Sequence, residues 1–208
     1  MERCRRLFAF EGIDGSGKTT QINFLREKMQ KEGFPIFVSK ACTENDKKEI
    51  SEFREKLGIE KRSVAMMLLF HALQVRQCEK TLASLHAGKI VLADRWNASF
   101  RIYHQNFGPL KDAVFVLNIL EKIAFQGLKP EITFFLDLPV ELAMARKKQN
   151  GRDLFDDESF DVYSTARRSY LNLAIHENDW IVVDASQSID EMYSFIWGKL
   201  SEHLKSTE

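Results

Sequence analysis

The chain of 208 residues carries 30 lysines and arginines against 30 aspartates and glutamates, so its formal net charge is zero. A neutral chain has no basic field with which to bind nucleic acid non-specifically, so we expect no nucleic-acid partner, whereas a local cluster of cations can still bind a small anion. The hydrophobic content of 44% is ordinary for a globular protein, and no window approaches the ~20 apolar residues of a membrane span.

Five short apolar runs alternate with longer stretches of helical periodicity. The runs predict buried strands at 7–10, 34–39, 89–94, 132–138 and 180–186. The periodic stretches predict helices near 18–32, 45–57, 62–87, 110–126, 139–149, 156–177 and 188–205. This alternation predicts an α/β fold, in which helices cover both faces of a mainly parallel sheet. We find no repeat or linker, so residues 1–208 should form a single domain.

Three widely spaced cysteines indicate a reducing compartment. Cys4, Cys42 and Cys78 are odd in number and form neither a disulfide framework nor a metal-ligand pattern. The basic N-terminus is followed by an apolar run too short for a secretory signal peptide. We therefore expect a cytoplasmic protein with no membrane partner.

Polar residues follow the first three predicted strands. Asp14 follows the first strand, Lys40 ends the second, and the pair Asp94-Arg95 ends the third. Ligands of open parallel sheets bind outside the carboxyl ends of the strands. We therefore expect these side chains to converge on one ligand.

The first strand leads into FEGIDGSGKTTQ at 10–21, where residues 12–19 fit the phosphate-binding pattern G-x-x-x-x-G-K-[ST]. Its glycines let consecutive backbone N–H groups curl around a phosphate, and the following helix adds its free N–H groups. In this pattern the lysine reaches the β- and γ-phosphates and the threonine hydroxyl ligates Mg²⁺. The residues predicted to bind ATP here are Gly12, Asp14, Gly15, Ser16, Gly17, Lys18, Thr19 and Thr20. The alternative is a glycine-rich turn bearing a surface lysine.

The pair Asp94-Arg95 offers two more groups that phosphate chemistry needs. An aspartate at the end of a buried strand can hold Mg²⁺ through water, and an arginine beside it can grip a second phosphate group. The guanine-reading N-K-x-D signature of GTPases is absent from the sequence. The alternative is an ordinary surface ion pair.

Further motifs extend almost to the end of the chain. They read L-L-F at 68–70, D-R-W-x-x-S-x-x-x-Y at 94–103, K-P-E-I-T-F-F-L-D-L at 129–138, E-L-A-M-A-R at 141–146, F-x-x-x-x-x-x-R-x-x-Y at 160–170 and V-D-A-S at 183–186. Together with FEGIDGSGKTTQ, they resemble the thymidylate kinase family of nucleoside monophosphate kinases. The resemblance implies a P-loop NTPase fold of three α/β/α layers, with a five-stranded parallel sheet and a small lid. It also implies transfer of the γ-phosphoryl group of ATP to a deoxynucleoside monophosphate, usually dTMP, with Mg²⁺.

The resemblance assigns roles to residues at matching positions. It implies that Asp14 binds the sugar of the acceptor or organises its phosphate, and that Arg95 holds that phosphate. Phe70 would stack on the base, Ser99 would lie against the edge of the base, and Tyr103 would exclude a ribose 2′-hydroxyl. Core packing is the alternative for both aromatic side chains.

The resemblance further implies a cation over the migrating phosphoryl group. This cation comes either from the phosphate-binding loop at 12–19, called the P-loop below, or from a mobile lid. Because Gly15 and Ser16 carry no charge, we expect a lid at about 145–158 to supply it. Arg146 falls at the family's arginine in E-x-A-x-x-R and should lie near ATP, while Arg152 is the candidate for the transition-state charge. The usual lid pattern D-R-x-E is absent, so a solvated charged loop is the alternative for Arg152.

Departures from the family pattern concern the acceptor. Many relatives carry T-R-E-P-G after the second strand, where this chain has Lys40, which keeps a charge without arginine's planar fork. The residue four after Phe70, commonly a base-reading arginine, is Gln74, and His104 replaces a glutamine. A glutamine amide suits thymine, uracil or cytosine. We therefore expect dTMP as acceptor, with dUMP, dCMP or UMP as alternatives. A nucleotide-binding protein with degenerate kinase activity is a further alternative.

The resemblance implies ATP, a pyrimidine deoxynucleoside monophosphate and a second copy of the chain as partners. The family is usually homodimeric through helices beside the third strand, and the apolar helix predicted at 110–126 could supply that surface. The helical pattern alone does not distinguish a dimer face from the core.

Overall fold

The structure, a computed structural model, describes residues 3–150 and 159–205. Within these ranges five parallel strands form a sheet: β1 (Arg3–Glu11), β2 (Ile36–Lys40), β3 (Ile90–Asp94), β4 (Lys129–Asp137) and β5 (Trp180–Asp184). Their order is β2-β3-β1-β4-β5. The five predicted strands are confirmed. The clearest case is β3, which is buried at every position, because a strand buried on both faces appears in the sequence as a continuous apolar run.

Helices connect the strands. In the described part of the chain they are α1 (Lys18–Lys31), α2 (Glu44–Leu57), α3 (Val64–His86), α4 (Asn97–Phe107), α5 (Val114–Phe125), α6 (Val140–Asn150), α7 (Phe160–His176) and α8 (Ile189–Lys205). The seven predicted helices are confirmed to within a few residues at their ends, and α4 was not predicted. No helix within the described ranges has the length and apolar character that a membrane span requires.

The alternating side chains of β1 build a core on each face of the sheet. Phe8 and Phe10 point into one cluster, which also holds Leu25 of α1 and Ile196 of α8. Leu7 and its neighbours on the same face point into the other cluster, with side chains of α3, α4 and α5. Helices therefore cover both faces, and the predicted three-layer α/β/α architecture is confirmed.

The absence of α4 from the prediction has a physical cause. The helix begins after Trp96, which provides no capping side chain. Instead, the carboxylate of Glu11, at the end of β1, accepts hydrogen bonds from the backbone N–H groups of Trp96 at 2.8 Å and Ser99 at 3.2 Å. A residue more than 80 positions away thus satisfies the free N–H groups of this helix end, so no local start signal is present.

The segment predicted as a lid, 145–158, begins inside a helix. Residues 145–150 form the last turns of α6. Residues 151–158, including the proposed transition-state residue Arg152, lie outside the described residues. The lid and the role of Arg152 therefore stay predictions.

Candidate active site

The loop between β1 and α1 has a backbone that glycine adopts more readily than other residues. Gly12, Gly15 and Gly17 have φ angles of 142°, 82° and 93°. A Cβ atom at Gly12 would lie 2.7 Å from the carbonyl oxygen of Leu136, so a larger residue there would collide with β4. This conformation is suited to wrapping backbone N–H groups around an anion at the N-terminus of α1.

The side chain of Lys18 lies over this loop. Its Nζ atom donates hydrogen bonds to the carbonyl oxygens of Gly12 at 3.1 Å and Ile13 at 2.9 Å. The residue is only 7% exposed. Burial, followed by the nearby charge of Arg95, lowers the pKa of Lys18 to about 8, although Asp14 opposes this change. The amino group therefore remains largely protonated at neutral pH and can bind a phosphate.

The predicted metal-binding pair lies together beside the loop. The hydroxyl of Thr19 donates to Oδ2 of Asp94 at 2.9 Å, and Nζ of Lys40 lies 3.4 Å from the same oxygen. Burial acts to raise the pKa of Asp94, but the charges of Lys18 and Lys40 outweigh it and lower the pKa overall. Asp94 is therefore ionised at neutral pH, and together with Thr19 it presents the hard oxygen ligands that Mg²⁺ prefers.

Three or more histidine, cysteine, aspartate or glutamate side chains do not cluster around a possible metal position anywhere in the described ranges. A cation beside Asp94 would accordingly take most of its ligands from phosphate and water. Mg²⁺ commonly binds in this way, through one or two protein oxygens together with substrate phosphates. The residues present thus fit a nucleotide-bound magnesium ion.

Arg95 connects the ends of β1 and β3. Its Nη2 atom lies 2.5 Å from Oδ1 of Asp14, and its Nη1 donates to the hydroxyl oxygens of Ser99 at 3.0 Å and Tyr170 at 3.2 Å. The backbone of Arg95 has a φ of 68°, which is unusual for a residue with a Cβ and is held in part by its N–H bond to the carbonyl of Phe10. The guanidinium is 25% exposed and is therefore both anchored and accessible.

A buried carboxylate, that of Glu11, holds the two hydroxyl groups to which Arg95 donates. Glu11 is 0% exposed, and its Oε2 atom accepts from the hydroxyls of Ser99 at 2.5 Å and Tyr170 at 3.1 Å. Burial raises the pKa of Glu11, against the opposing effects of Arg95 and the hydrogen bonds. We did not predict roles for Glu11 or Tyr170 from the sequence. An acidic residue at the end of an apolar strand was the available signal.

Glu11→Ala should destabilise the protein more than Glu11→Gln. Alanine leaves the backbone N–H groups of Trp96 and Ser99 without an acceptor, and each buried unsatisfied donor costs about 1–3 kcal/mol. Glutamine keeps an acceptor oxygen for them. The free energy of unfolding in urea measures the difference. Equal stability of the two variants would contradict the assignment of Glu11 as the cap of α4.

Arg146, on α6, joins the loop to the end of β5. Its guanidinium donates to the carbonyl oxygens of Gly15 at 3.2 Å and Ala185 at 3.1 Å. This places Arg146 at the P-loop, and its contact with ATP stays a prediction.

A cavity of about 1210 Å³ extends from the P-loop past Arg95. The predicted site residues that line it are Asp14, Gly15, Ser16, Gly17, Lys18, Thr19, Thr20, Lys40, Phe70, Gln74, Asp94, Arg95, Ser99, Tyr103 and Arg146. Gly12 does not line the cavity, but its carbonyl oxygen accepts a hydrogen bond from Lys18. The structure thus brings together all the predicted site residues that it describes.

Part of the lining of this cavity is aromatic. Phe70, Tyr103 and His104 line it, and the guanidinium carbon of Arg95 lies 5.8 Å from the centre of the Tyr103 ring. Burial, then the neighbouring His71, lowers the pKa of His104 to about 4, so its imidazole is neutral at physiological pH. An uncharged, partly aromatic wall of this kind suits a flat heterocycle.

Comparisons with known proteins agree with this geometry. The family model described as thymidylate kinase matches residues 10–196. A thymidylate kinase of Thermosipho melanesiensis is 34% identical over 90% of this chain and 94% of its own length. Those of Thermosipho africanus and Fervidobacterium nodosum are 31% and 30% identical, over 95% and 89% of this chain and 98% and 93% of their own lengths. The predicted P-loop NTPase fold is thereby confirmed, and the chain belongs to the thymidylate kinase family.

Proposed function

We propose that the chain transfers the γ-phosphoryl group of ATP to dTMP, giving dTDP and ADP. Membership of the thymidylate kinase family, over residues 10–196, supports this activity. The observation that carries it is the position of Arg95, which faces the P-loop across one cavity and bonds to the P-loop residue Asp14. Two anions can therefore bind end to end, one on the loop and one on the arginine.

The donor nucleotide binds at the P-loop. Backbone N–H groups of the loop and of the start of α1 hold its phosphates, and Lys18 neutralises their charge. Arg146 lies beside Gly15, close to the expected nucleotide. Mg²⁺, held by the oxygens of Thr19 and Asp94, would neutralise charge on the phosphates of ATP. These assignments are supported by the bond from Lys18 to the carbonyl of Ile13 and by the bond from Thr19 to Asp94.

The acceptor binds between Arg95 and the aromatic part of the cavity lining. The guanidinium grips the monophosphate, with Asp14 and Lys40 beside it, while Phe70 stacks on the base. Ser99 lines the cavity, but its hydroxyl is engaged with Arg95 and Glu11, which supports a role in positioning the arginine. Tyr103 lies below the guanidinium, where its ring can crowd a ribose 2′-hydroxyl.

The base faces Gln74. Among the described residues, no donor meets hydrogen-bond geometry at its buried Oε1 atom, although the side chain lies beside the imidazole of His71. Such an atom is costly to leave unpaired, so it favours a ligand that brings a donor. Thymine offers its ring N–H to this oxygen, and the amide nitrogen can donate to an adjacent thymine carbonyl.

Catalysis then consists mainly of positioning and electrostatic stabilisation. The acceptor phosphate oxygen attacks the γ-phosphorus in line with the departing ADP, and the protein holds both anions at the required distance. The degenerate-kinase alternative has little support, because the phosphate-binding elements Lys18, Thr19, Asp94 and Arg95 are all present and assembled. The alternative acceptors are not favoured by relatives that are named thymidylate kinase.

ADP release measured against a panel of monophosphates tests this function. We expect dTMP to give the highest kcat/KM of dTMP, dUMP, dCMP and UMP, with UMP disfavoured by the 2′-hydroxyl that Tyr103 excludes. Reactions without acceptor provide the background. Higher kcat/KM for another monophosphate would contradict dTMP as the substrate, and ATP binding without any turnover would favour the degenerate protein.

We also propose that two copies associate through α5. Phe115, Ile119 and Ile123 follow one another at intervals of four along this helix, and they are 76%, 41% and 54% exposed. Side chains at this spacing form one stripe, and a contiguous exposed apolar stripe is typical of a contact surface. Sedimentation equilibrium measures the association.

The cytoplasmic location stays a prediction from the cysteines, of which Cys42 and Cys78 are free thiols.

A further inference from the structure

The end of α6 places a lysine beside the P-loop. Nζ of Lys147 donates to the hydroxyl oxygen of Tyr163 at 2.5 Å and lies 4.8 Å from the centre of that ring. The same hydroxyl donates to Oδ2 of Asp14 at 3.3 Å. Since Arg95 binds the other oxygen of Asp14, the two cations flank one carboxylate. Lys147 also lines the nucleotide cavity.

The other cationic side chains around the P-loop are held by partners different from those of Lys147. Lys18 is held on the loop carbonyls, Lys40 pairs with Asp94, and Arg146 bonds to the backbone carbonyls of Gly15 and Ala185. Lys147 instead reaches Asp14 through the hydroxyl of Tyr163, at the carboxylate oxygen that Arg95 does not bind. It therefore lies near the place where a terminal phosphate on the P-loop and a monophosphate on Arg95 would meet.

We propose that Lys147 is a catalytic residue that stabilises the negative charge of the migrating phosphoryl group. The inference rests on the proposed function. In that reaction a bond forms between the acceptor oxygen and the γ-phosphorus, while the bond from the γ-phosphorus to the bridging oxygen breaks and leaves its electron pair on ADP. Lys147 donates hydrogen bonds to the γ-phosphoryl oxygens throughout, and it transfers no proton.

The local structure suits this role. The P-loop has no cation at Gly15 or Ser16, so positive charge over the γ-phosphoryl group must come from another element. Lysine is a point charge on a flexible stem, and its amino group can move from a tyrosine hydroxyl to a phosphate oxygen. Tyr163 is 0% exposed and therefore provides a fixed resting place for it. A cation positioned in advance needs little rearrangement when charge develops.

Kinetics of four variants test the inference: Lys147→Met, Lys147→Arg, Tyr163→Phe and Arg152→Met. We expect Lys147→Met to lower kcat with dTMP by about 10²–10³-fold, as loss of one transition-state donor does in other enzymes. The KM values for ATP and dTMP should change little. Lys147→Arg should recover part of the rate because it retains the charge, and Tyr163→Phe should lose less than Lys147→Met. Arg152→Met changes the arginine that the family resemblance assigns to this charge, and it should lose less than Lys147→Met.

Binding measurements separate a catalytic role from a structural one. The probe is ADP with aluminium fluoride and dTMP, which imitates the transferring phosphoryl group. Lys147→Met should weaken this complex by about the same factor as kcat, since transition-state interactions are lost in both. Binding of ADP alone and of dTMP alone should remain at the wild-type level, as should the temperature of unfolding.

The proposed function and the role of Lys147 fail in different ways. Absence of wild-type turnover with dTMP would overturn the function, and the role of Lys147 with it. Normal wild-type turnover with an equally active Lys147→Met variant would overturn the role of Lys147 alone. A loss confined to Arg152→Met would transfer the role to that arginine, and a loss of ADP binding in Lys147→Met would show a ground-state contact instead.

Discussion

Replacement of Lys18 by alanine is expected to reduce the turnover of dTMP by about 10²–10³-fold or more. The amino group lies over the P-loop, where it would meet the β- and γ-phosphates of ATP, and alanine removes that charge while leaving the loop in place. We expect the fold to survive. The burial that lowers the pKa of Lys18 also makes its charged form costly, which offsets the loss of its bonds to Gly12 and Ile13.

Steady-state kinetics and urea unfolding measure these two effects separately. Lys28→Ala is a matched control, because Lys28 lies on the same helix but is exposed and pairs with Glu32. This control should keep the wild-type rate. A Lys18→Ala variant with a rate within about threefold of wild type would contradict the assignment of the P-loop as the donor site.

Arg95→Ala is expected to impair the acceptor side selectively. Loss of a charge-assisted contact that becomes buried when dTMP binds costs about 2–5 kcal/mol, which corresponds to a loss of roughly 30- to 5000-fold in kcat/KM for dTMP. Alanine carries a Cβ as arginine does, so the strained φ of 68° at this position is retained. The loss can therefore be attributed to the guanidinium. Arg95→Lys keeps the charge but not the fork and should give an intermediate loss.

Calorimetric titration distinguishes the two ligand sites in the Arg95 variants. Affinity for dTMP should fall, while affinity for ADP with Mg²⁺ should remain close to that of the wild type. The opposite pattern, with weaker ADP binding and unchanged dTMP binding, would place Arg95 at the donor phosphates and overturn its assignment to the acceptor.

The sheet and the phosphate site could be predicted from the sequence because their signals are local. Each strand contains a short apolar run, and the P-loop is one uninterrupted motif. The carboxyl ends of parallel strands share one edge of the sheet. This general property predicted the ion pairs of Lys40 with Asp94 and of Asp14 with Arg95.

Other parts of the site depend on contacts between distant segments. Helix α4 is capped by Glu11, which lies 85 positions before Trp96 in the chain. The contact of Tyr163 with Asp14 spans 149 positions. No local pattern records such pairs, so the support beneath Arg95 and the position of Lys147 were not predicted.

The sequence alone did not identify the base of the acceptor, and the reason is chemical. An amide such as that of Gln74 has a donor at one side and an acceptor at the other, so its presence alone does not select one pyrimidine. The structure adds the burial of its oxygen and the neutral state of His104. The Gln74 oxygen and the neutral His104 imidazole both offer the base an uncharged surface. The preference for thymine over other bases follows from membership of the thymidylate kinase family.

A crystal structure of the chain with Mg²⁺, a non-hydrolysable ATP analogue and dTMP tests the central claim most directly. We predict that the triphosphate lies against the N–H groups of residues 12–19, with Lys18 on its terminal phosphates and Arg95 on the phosphate of dTMP. Phosphates bound away from this loop, or an Arg95 side chain that touches neither nucleotide, would contradict the account.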